Sequence, residues 1–233
     1  MTNSDYFETL KINYDIVKVL SRKNDSLSIV LKHKEEKKKI VYRYFKRPVI
    51  IYDFLKTISF ENLPAVYDSF LIEDGQIILE EFIDGITVSD VIDNGVYTYK
   101  GARKVINDLC DALSILHQNG YVHRDIKPEN IMIDNSGIVK LIDFNASRKE
   151  SNATKDTIQI GTIGYASPEQ YGIAQSDIRT DIYSLGVLLN VMLTGLHPTQ
   201  KIAKGIAKKI IVKCTQINPN MRYNTVDELK SAL

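Results

Sequence analysis

The amino-terminal third of the chain alternates short apolar runs with polar clusters. Five of these runs are rich in β-branched and aromatic residues, a composition typical of strands. Residues 50–58 differ, because their apolar side chains recur at i, i+3, i+4 and i+7 and predict a short helix. The predicted strands are 14–20, 27–33, 39–45, 65–72 and 76–82.

From about residue 100 onward the apolar positions recur with the period of an α-helix. Residues 102–117 have one apolar face and are followed by Gly120, a typical helix stop. Residues 181–192 are apolar nearly all round, which predicts a buried central helix. Two further helices are predicted, one containing Ile206, Ile210 and Cys214 and one at 225–233, which opens on a capping-box pattern from Thr225 to Glu228.

Strands followed by helices indicate an α+β fold with two lobes, which we place at residues 1–83 and 84–233. The 233 residues, of which 44% are hydrophobic, are enough for two packed units. Cys110 and Cys214 lie far apart in helical patterns, so we expect reduced core residues instead of a disulfide or a metal pair.

The charge balance narrows the classes of partner. A formal net charge of +1 gives no support for nucleic-acid binding or for electrostatic attachment to a membrane. The sequence shows no apolar stretch long enough to span a membrane and no signal peptide, so the expectation is a cytoplasmic protein. The charged run at 34–39 is expected to be a solvated turn between two strands.

The candidate chemistry lies in three motifs. HRDIKPEN occupies residues 123–130, Asp143-Phe144-Asn145 begins thirteen residues after Asn130, and Ser167-Pro168-Glu169 follows. Their order and spacing resemble those of protein kinases, and in particular the bacterial serine/threonine kinases of the Hanks type. The resemblance runs from about Tyr14 to Leu233, is strong in the second lobe and implies a two-lobed kinase fold.

The resemblance implies a role for each polar residue of these motifs. Asp125 is expected to accept the proton of the acceptor hydroxyl, and Lys127 to place positive charge near the transferred phosphoryl group. Asn130 and Asp143 are expected to hold Mg²⁺ bound to ATP, because hard cations take oxygen ligands. A hairpin made of residues 131–133 and 138–142 is predicted to bring the two metal ligands together.

Other segments also match the family. Residues 161–169 resemble the end of an activation segment, and residues 181–186 the start of the central helix. By this resemblance, Asp181 accepts hydrogen bonds from the catalytic-loop backbone, and Arg222 pairs with Glu169. Glu81 and Ile83 are expected to offer backbone hydrogen bonds to adenine, with Glu80 just before them at the position called the gatekeeper.

The first lobe departs from the family pattern near the nucleotide. Residues 21–28 contain no glycine where the family has a glycine-rich phosphate loop, which predicts a poorer cradle for phosphate. Arg43 stands where the family has Lys, on the strand face shared by Val41 and Phe45, and is expected to contact phosphate. Asp53 is the nearest acidic candidate to pair with it. In the metal motif Asn145 replaces the family's glycine.

Two further features bear on regulation and on substrate binding. Ser151, Thr154 and Thr157 lie in a polar stretch where a phosphate could pair with Arg124, and a disordered polar loop is the alternative. Few residues separate Pro198 from the next predicted helix, where the family usually has another helix that often docks protein substrates, so that helix is expected to be shortened and the mode of substrate recognition is left open.

Three functions remain open at the level of sequence. The first is an ATP- and Mg²⁺-dependent protein serine/threonine kinase acting on a protein hydroxyl. The second is a pseudokinase, a binding or regulatory module, which the missing glycines and the Arg at position 43 favour and the retained Asp125, Asn130 and Asp143 oppose. The third is a small-molecule phosphotransferase of the aminoglycoside-kinase kind, which Arg124 and the segment at 161–169 oppose. The protein substrate or regulatory partner is not specified by the sequence.

Overall fold

The computed structural model describes residues 1–149, 162, 164–171 and 175–233. The chain forms two compact units, Met1–Asp84 and Gly85–Leu233. The first is mainly an antiparallel sheet and the second mainly helical, which confirms the α+β class. The assignment of residues 1–83 and 84–233 to a nucleotide-binding lobe and a catalytic lobe stays a prediction.

The first unit is built on a five-stranded antiparallel sheet in the order β1-β2-β3-β5-β4. All five predicted strands are present, with ends that differ by at most two residues from the prediction. The charged run at 34–39 includes the turn between the second and third strands, where Lys37 has a left-handed backbone with φ of 62°. The strands are β1 (Tyr14–Arg22), β2 (Ser26–His33), β3 (Lys39–Phe45), β4 (Val66–Ile72) and β5 (Gly75–Glu81).

A helix that the sequence pattern did not predict, α1 (Asn3–Asn13), covers one face of this sheet. Thr2 and Asp5 form a capping box at its amino end. At its carboxyl end the Lys34 ammonium donates to the carbonyl oxygens of Lys11 at 2.7 Å and Ile12 at 2.9 Å, two of the acceptors that a helix end leaves unpaired. Tyr6, Phe7 and Leu10 pack on the buried side chains of Ile29, Leu31, Ile40, Tyr42 and Ile77.

The opposite face of the sheet carries polar as well as apolar side chains. Ser28, Arg43, Ile78 and Ser69 are direct cross-strand neighbours on β2, β3, β5 and β4. The second helix, α2 (Ile51–Leu55), has five residues and is shorter than the predicted 50–58. Its acidic residue, Asp53, contacts this row, because Ser69 Oγ donates to the Asp53 carboxylate at 2.7 Å.

The second unit contains the expected buried helix, α5 (Ile178–Thr194), whose buried side chains lie on every side of the helix. The predicted hairpin is formed by residues 131–134 and 139–141, which join residues 85–87 in a three-stranded sheet. The short strands at 85–87, 121–122 and 148–149 and the helix at 88–93 were not predicted. No helix in the part of the chain that the structure describes is both long and apolar enough to cross a lipid bilayer. The elements are β6 (Gly85–Thr87), α3 (Val88–Asp93), α4 (Tyr99–Gln118), β7 (Tyr121–Val122), β8 (Ile131–Asp134), β9 (Val139–Leu141), β10 (Arg148–Lys149), α5 (Ile178–Thr194), α6 (Ile206–Cys214) and α7 (Val226–Ala232).

The connection between α5 and α6 is held by one buried side chain. Residues 195–205, all of them described, contain no α-helix, whereas the short spacing after Pro198 predicted a shortened one. Asn190 of α5 donates from Nδ2 to the carbonyl oxygens of Leu196 and Lys201, each at 2.8 Å. Its Oδ1 accepts from the amide of Ala203 at 2.9 Å. Main-chain groups of the connection are thereby paired without a helix.

The start of α7 corrects one detail of the predicted capping box. Thr225 Oγ1 accepts from the Glu228 amide at 3.2 Å, as a capping box requires. The Glu228 carboxylate, however, accepts from the amide of Asn224 at 2.9 Å instead of the amide of Thr225. The Glu228 carboxylate therefore pairs with the backbone amide one residue earlier than predicted.

The two cysteines lie in the core of the second unit. Cys110 is on α4 and Cys214 is on α6, and both are free and buried. Burial raises the pKa of both thiols. Thiols of this kind remain protonated and unreactive, which fits the core role expected of them.

Candidate active site

Two polar side chains of the loop formed by residues 123–130 meet the side chain of Thr162. Thr162 Oγ1 donates to Asp125 Oδ1 at 2.7 Å, and Lys127 Nζ donates to Thr162 Oγ1 at 2.8 Å. Lys127 Nζ also lies 2.9 Å from Asp125 Oδ2. The three side chains thus form a closed ring in which the aspartate and the lysine are held at fixed positions. Thr162 was not singled out from the sequence.

The ring has an electrostatic consequence for Asp125. Burial of the carboxyl acts to raise its pKa, but the hydrogen bonds from Lys127 and Thr162 and the charge of Lys127 outweigh burial. The pKa of Asp125 therefore lies below its usual value. The side chain is a carboxylate at neutral pH, which is the form that can accept a proton from a hydroxyl.

Asp181, at the start of α5, holds the backbone of this loop as predicted. Its two carboxylate oxygens accept from the amides of His123 at 2.9 Å and Arg124 at 2.8 Å. His117 Nε2, a contact that the sequence did not reveal, lies 2.8 Å from Asp181 Oδ2. Burial acts to raise the pKa of Asp181, but these partners hold it below its usual value.

Arg124 has a left-handed backbone, with φ of 66°. Its guanidinium Nε donates to the carbonyl oxygen of Ala146 at 2.8 Å, and its own carbonyl oxygen accepts from Gln170 Nε2 at 2.8 Å. Such a conformation costs energy for a non-glycine residue and persists only where the surroundings fix it. The hydrogen bonds that Arg124 donates to Asp181 and accepts from Gln170 supply that constraint and orient Asp125, the next residue.

The β8–β9 hairpin brings the two candidate metal ligands, Asn130 and Asp143, close together. The amide of Ile142 donates to the carbonyl oxygen of Asn130 at 2.9 Å, which places Asp143 beside the end of the catalytic loop. Asn130 Nδ2 donates to the backbone carbonyl of Asp125 at 2.8 Å and to its carboxylate at 2.9 Å. Asp143 has φ of 65°, again in the left-handed region.

The donor set fits a magnesium ion that is also held by phosphate. Asp143 Oδ1 is buried and accepts no hydrogen bond from the described residues. An anionic oxygen without a donor is costly unless a cation meets it. No group of three or more His, Cys, Asp or Glu side chains in the described ranges could hold a metal alone. Magnesium in phosphoryl-transfer proteins takes one or two protein oxygens together with phosphate and water.

Glu169 of the Ser-Pro-Glu motif forms the predicted ion pair with Arg222. The two guanidinium nitrogens lie 2.6 and 2.9 Å from the two carboxylate oxygens. The Glu169 and Arg222 side chains are 4% and 0% exposed, so the pair is desolvated as well as bidentate. Thr180 Oγ1 adds a hydrogen bond to Glu169 at 3.0 Å, which ties the motif to α5.

In the first unit, Arg43 pairs with a partner other than the one expected. Arg43 Nε lies 2.6 Å from Glu80 Oε1, and Arg43 Nη1 donates to Ser28 Oγ at 3.2 Å. Asp53 instead accepts the hydrogen bond from Ser69. The predicted Arg43–Asp53 pair is therefore wrong, because the sheet supplies a carboxylate nearer to the guanidinium than the short α2 does.

Other parts of the expected nucleotide site are also placed by the fold. The glycine-free stretch forms a tight hairpin between β1 and β2, in which the Lys23 amide donates to the Ser26 carbonyl oxygen at 2.9 Å. Glu81 ends β5, and its amide donates to the carbonyl oxygen of Ala65 at 2.8 Å. Ile83 is buried. The adenine contacts of Glu81 and Ile83 stay predictions.

The candidate phosphorylation sites Ser151, Thr154 and Thr157 lie outside the described residues. Of the segment at 161–169, the structure describes 162 and 164–169. Within that part, Gln170 Oε1 accepts from the backbone amide of Ser167 at 3.0 Å. Since Gln170 also bonds to Arg124, one side chain joins the Ser-Pro-Glu motif to the catalytic loop.

Comparison with known proteins agrees with this geometry. Residues 15–233 match the protein kinase domain family. The chain therefore belongs to the protein kinase family, whose members use ATP and typically a divalent metal. The match includes residues 15–84, so the sheet of the weakly resembling first unit belongs to the family as well.

Similar proteins include bacterial serine/threonine kinases. The chain is 35% identical to the serine/threonine-protein kinase PknB of Mycobacterium tuberculosis over 184 residues, 67% of this chain and 29% of that protein. It is 33% identical to PknB of Mycobacterium leprae over 204 residues, 74% of this chain and 33% of that protein. A probable serine/threonine-protein kinase of Clostridium perfringens is 29% identical over 226 residues, 86% of this chain and 33% of that protein. The chain thus spans about a third of the length of these relatives.

Proposed function

We propose that this chain is an ATP-dependent protein serine/threonine kinase that transfers the γ-phosphoryl group of ATP to a protein hydroxyl. The observation that carries the proposal is the ring of Asp125, Lys127 and Thr162. A scaffold that only binds a partner has no need of an ionised, oriented carboxylate beside a fixed ammonium. Phosphoryl transfer needs both.

The second unit supplies the catalytic groups in this proposal. Asp125 orients the acceptor hydroxyl and takes its proton, and Lys127 stabilises negative charge on the transferred phosphoryl group. Asn130 and Asp143 would hold Mg²⁺, which would neutralise phosphate charge. Asp181 keeps the loop in shape by accepting its backbone amides.

The first unit supplies the nucleotide contacts. We assign Arg43 to the phosphates, and the main chain of Glu81 and Ile83 to adenine. The identity of the relatives as serine/threonine kinases supports a hydroxyl acceptor on protein, and their names are the source of the Ser/Thr preference.

The direct test is incubation of the protein with radiolabelled ATP and Mg²⁺ and a mixture of acceptor proteins. We expect acid-stable label on serine or threonine, removed by omission of Mg²⁺. Nucleotide binding without any transfer, measured by titration with a fluorescent ATP analogue, would favour the pseudokinase instead.

We expect Thr162→Ala to change the pH dependence of transfer. Loss of the hydroxyl removes a donor to the Asp125 carboxylate and raises its pKa, so less carboxylate is present at a given acidic pH. The acid limb of kcat/KM then moves to higher pH. Thr162→Ser keeps the hydroxyl and is the control. An acid limb that stays in place in Thr162→Ala would show that Asp125 does not govern it.

The polar stretch beyond the described β10 gives a separate prediction. If the chain phosphorylates itself, Ser151, Thr154 or Thr157 is expected to carry phosphate, because Arg124 directly precedes Asp125 and offers a cation to such a group. Mass spectrometry after incubation with ATP and Mg²⁺ measures this, with Asp125→Asn as the unphosphorylated control. Absence of phosphate from this stretch in an active preparation would reject self-activation by this route.

A further inference from the structure

We propose that Glu80 is the positioning residue for Arg43, so that the ion pair which orients the phosphate-binding cation is built inside the β-sheet. The inference rests on the proposed function and deepens it. It assigns to β5 the task that the sequence had assigned to an acidic residue of the neighbouring helix.

The register of the sheet makes this pair a consequence of strand pairing. Val41 of β3 lies directly opposite Glu80 of β5, and Arg43 lies opposite Ile78. Residues two apart on a strand share a face, so Arg43 and Glu80 are diagonal neighbours on one face. Long side chains can span such a diagonal, and the 2.6 Å separation of Arg43 Nε and Glu80 Oε1 shows that these two do.

A third residue completes the arrangement. Ser28 of β2 lies directly opposite Arg43, and its hydroxyl oxygen accepts from Nη1 at 3.2 Å. The guanidinium is thus contacted by an acceptor from the strand on each side of its own. Since the guanidinium is planar, contacts at Nε and at Nη1 define its plane and leave little rotational freedom.

Burial shows that the pair is more than a surface contact. The side chains of Arg43 and Glu80 are 10% and 4% exposed, whereas ion pairs between exposed side chains are loosely held. A buried carboxylate requires a cation, and Glu80 has Arg43. Because Arg43 and Glu80 both lie on paired strands of the sheet, the distance between them does not depend on the position of α2.

Asp53 of α2, the other candidate for the acidic partner of Arg43, makes different contacts. That carboxylate accepts from Ser69 Oγ at 2.7 Å, and Ser69 Oγ in turn accepts from Gln76 Nε2 at 3.0 Å. These bonds join α2 to β4 and β5. Asp53 therefore has a structural role in attaching the helix to the sheet and provides a matched acidic control.

The experiment measures binding of ATP and of adenosine by competition with a fluorescent ATP analogue. Glu80→Gln keeps the size of the side chain and removes its charge. Since a hydrogen bond between charged groups contributes appreciably to fixing its partners, we expect ATP affinity to fall by about 10- to 100-fold. Adenosine affinity is expected to be unchanged, because Arg43 is assigned to phosphate. A role limited to stability would weaken both ligands together.

Two further variants complete a double-mutant cycle and its control. In an Arg43→Met background, Glu80→Gln should have no additional effect on ATP affinity, since it acts through Arg43. Asp53→Asn should leave ATP affinity within about twofold of wild type. If Glu80→Gln does not fold, Ser28→Ala tests the same idea, because it removes an acceptor of Arg43 without leaving a buried charge unpaired; a selective, smaller loss of ATP affinity is expected.

Several results would overturn the inference. They are unchanged or tighter ATP binding in Glu80→Gln, equal losses for ATP and adenosine, an additive effect in the Arg43→Met background, or a loss in Asp53→Asn as large as that in Glu80→Gln. Wild type that binds no ATP would overturn it too. Wild type that binds ATP but transfers no phosphate would defeat only the proposed kinase activity, and the binding pattern would still decide the role of Glu80.

Discussion

Replacement of Asp125 by Asn is expected to reduce phosphate transfer by about 10²- to 10⁴-fold, the usual contribution of a positioned general base. The amide is nearly the same size but cannot take the hydroxyl proton. Asp125 is held by Lys127, Thr162 and Asn130, none of which needs ATP in order to bind it. Affinity for ATP should therefore stay close to wild type, which single-turnover transfer and nucleotide titration measure separately.

Asp143→Asn serves as the contrasting variant. Because Asp143 Oδ1 is a buried anionic oxygen that fits a cation, loss of its charge should abolish the Mg²⁺ dependence of nucleotide binding as well as transfer. Equal rates of phosphate transfer by Asp125→Asn and wild type would show that Asp125 is not the general base. Loss of Mg²⁺-dependent binding in both variants would instead mean that the two carboxylates share the metal.

Glu169→Gln should destabilise the protein by about 3–5 kcal/mol, since removal of one partner leaves Arg222 charged in a buried site. Arg222 also donates from Nε to the Gln216 carbonyl oxygen and from Nη1 to the Arg179 carbonyl oxygen, so it cannot move to solvent without losing further bonds. For a chain of this size, a loss of that order corresponds to about 6–20 °C in Tm, measurable by thermal denaturation.

Glu8→Gln is the matched control for this loss. Glu8 lies on α1 and pairs with Lys11 one turn away, with 67% of its side chain exposed. Exposed pairs of this kind contribute only about 0–0.5 kcal/mol, so the same chemical change should hardly alter Tm. Similar Tm values for Glu169→Gln and Glu8→Gln would mean that the buried pair is replaceable by a neutral hydrogen bond.

The sequence predicts the main helices and the motifs of the second unit well. Its functional residues are close together in sequence, and its helical patterns extend over many residues. The motif around Asp125 is eight residues long, and α5 is apolar on every side, so both are visible without tertiary information. The pairs Asp181 with the loop backbone and Arg222 with Glu169 were also expected, and the structure confirms both.

The first unit was predicted less fully, for physical reasons. The partner of Arg43 depends on strand register, and register decides which side chains are diagonal neighbours only once β3 and β5 are paired. Nothing in the order of residues shows that Glu80 is closer than Asp53. Helix α1 was missed because it buries none of its residues fully and offers only a few apolar side chains to the sheet. Thr162 was missed because its role depends on residues 35 and 37 positions away.

The side chain of Asn190 has a consequence for the divergence of related sequences. All three bonds that it makes to the connection between α5 and α6 end on main-chain groups, of Leu196, Lys201 and Ala203. A contact to the main chain does not depend on the side chain of the residue contacted. In homologues with a connection of this length, substitutions should therefore accumulate at 196 and 201, where side chains face solvent. Position 190 should remain Asn, because the carboxylate of Asp cannot donate a hydrogen bond and the side chain of Gln is one methylene too long.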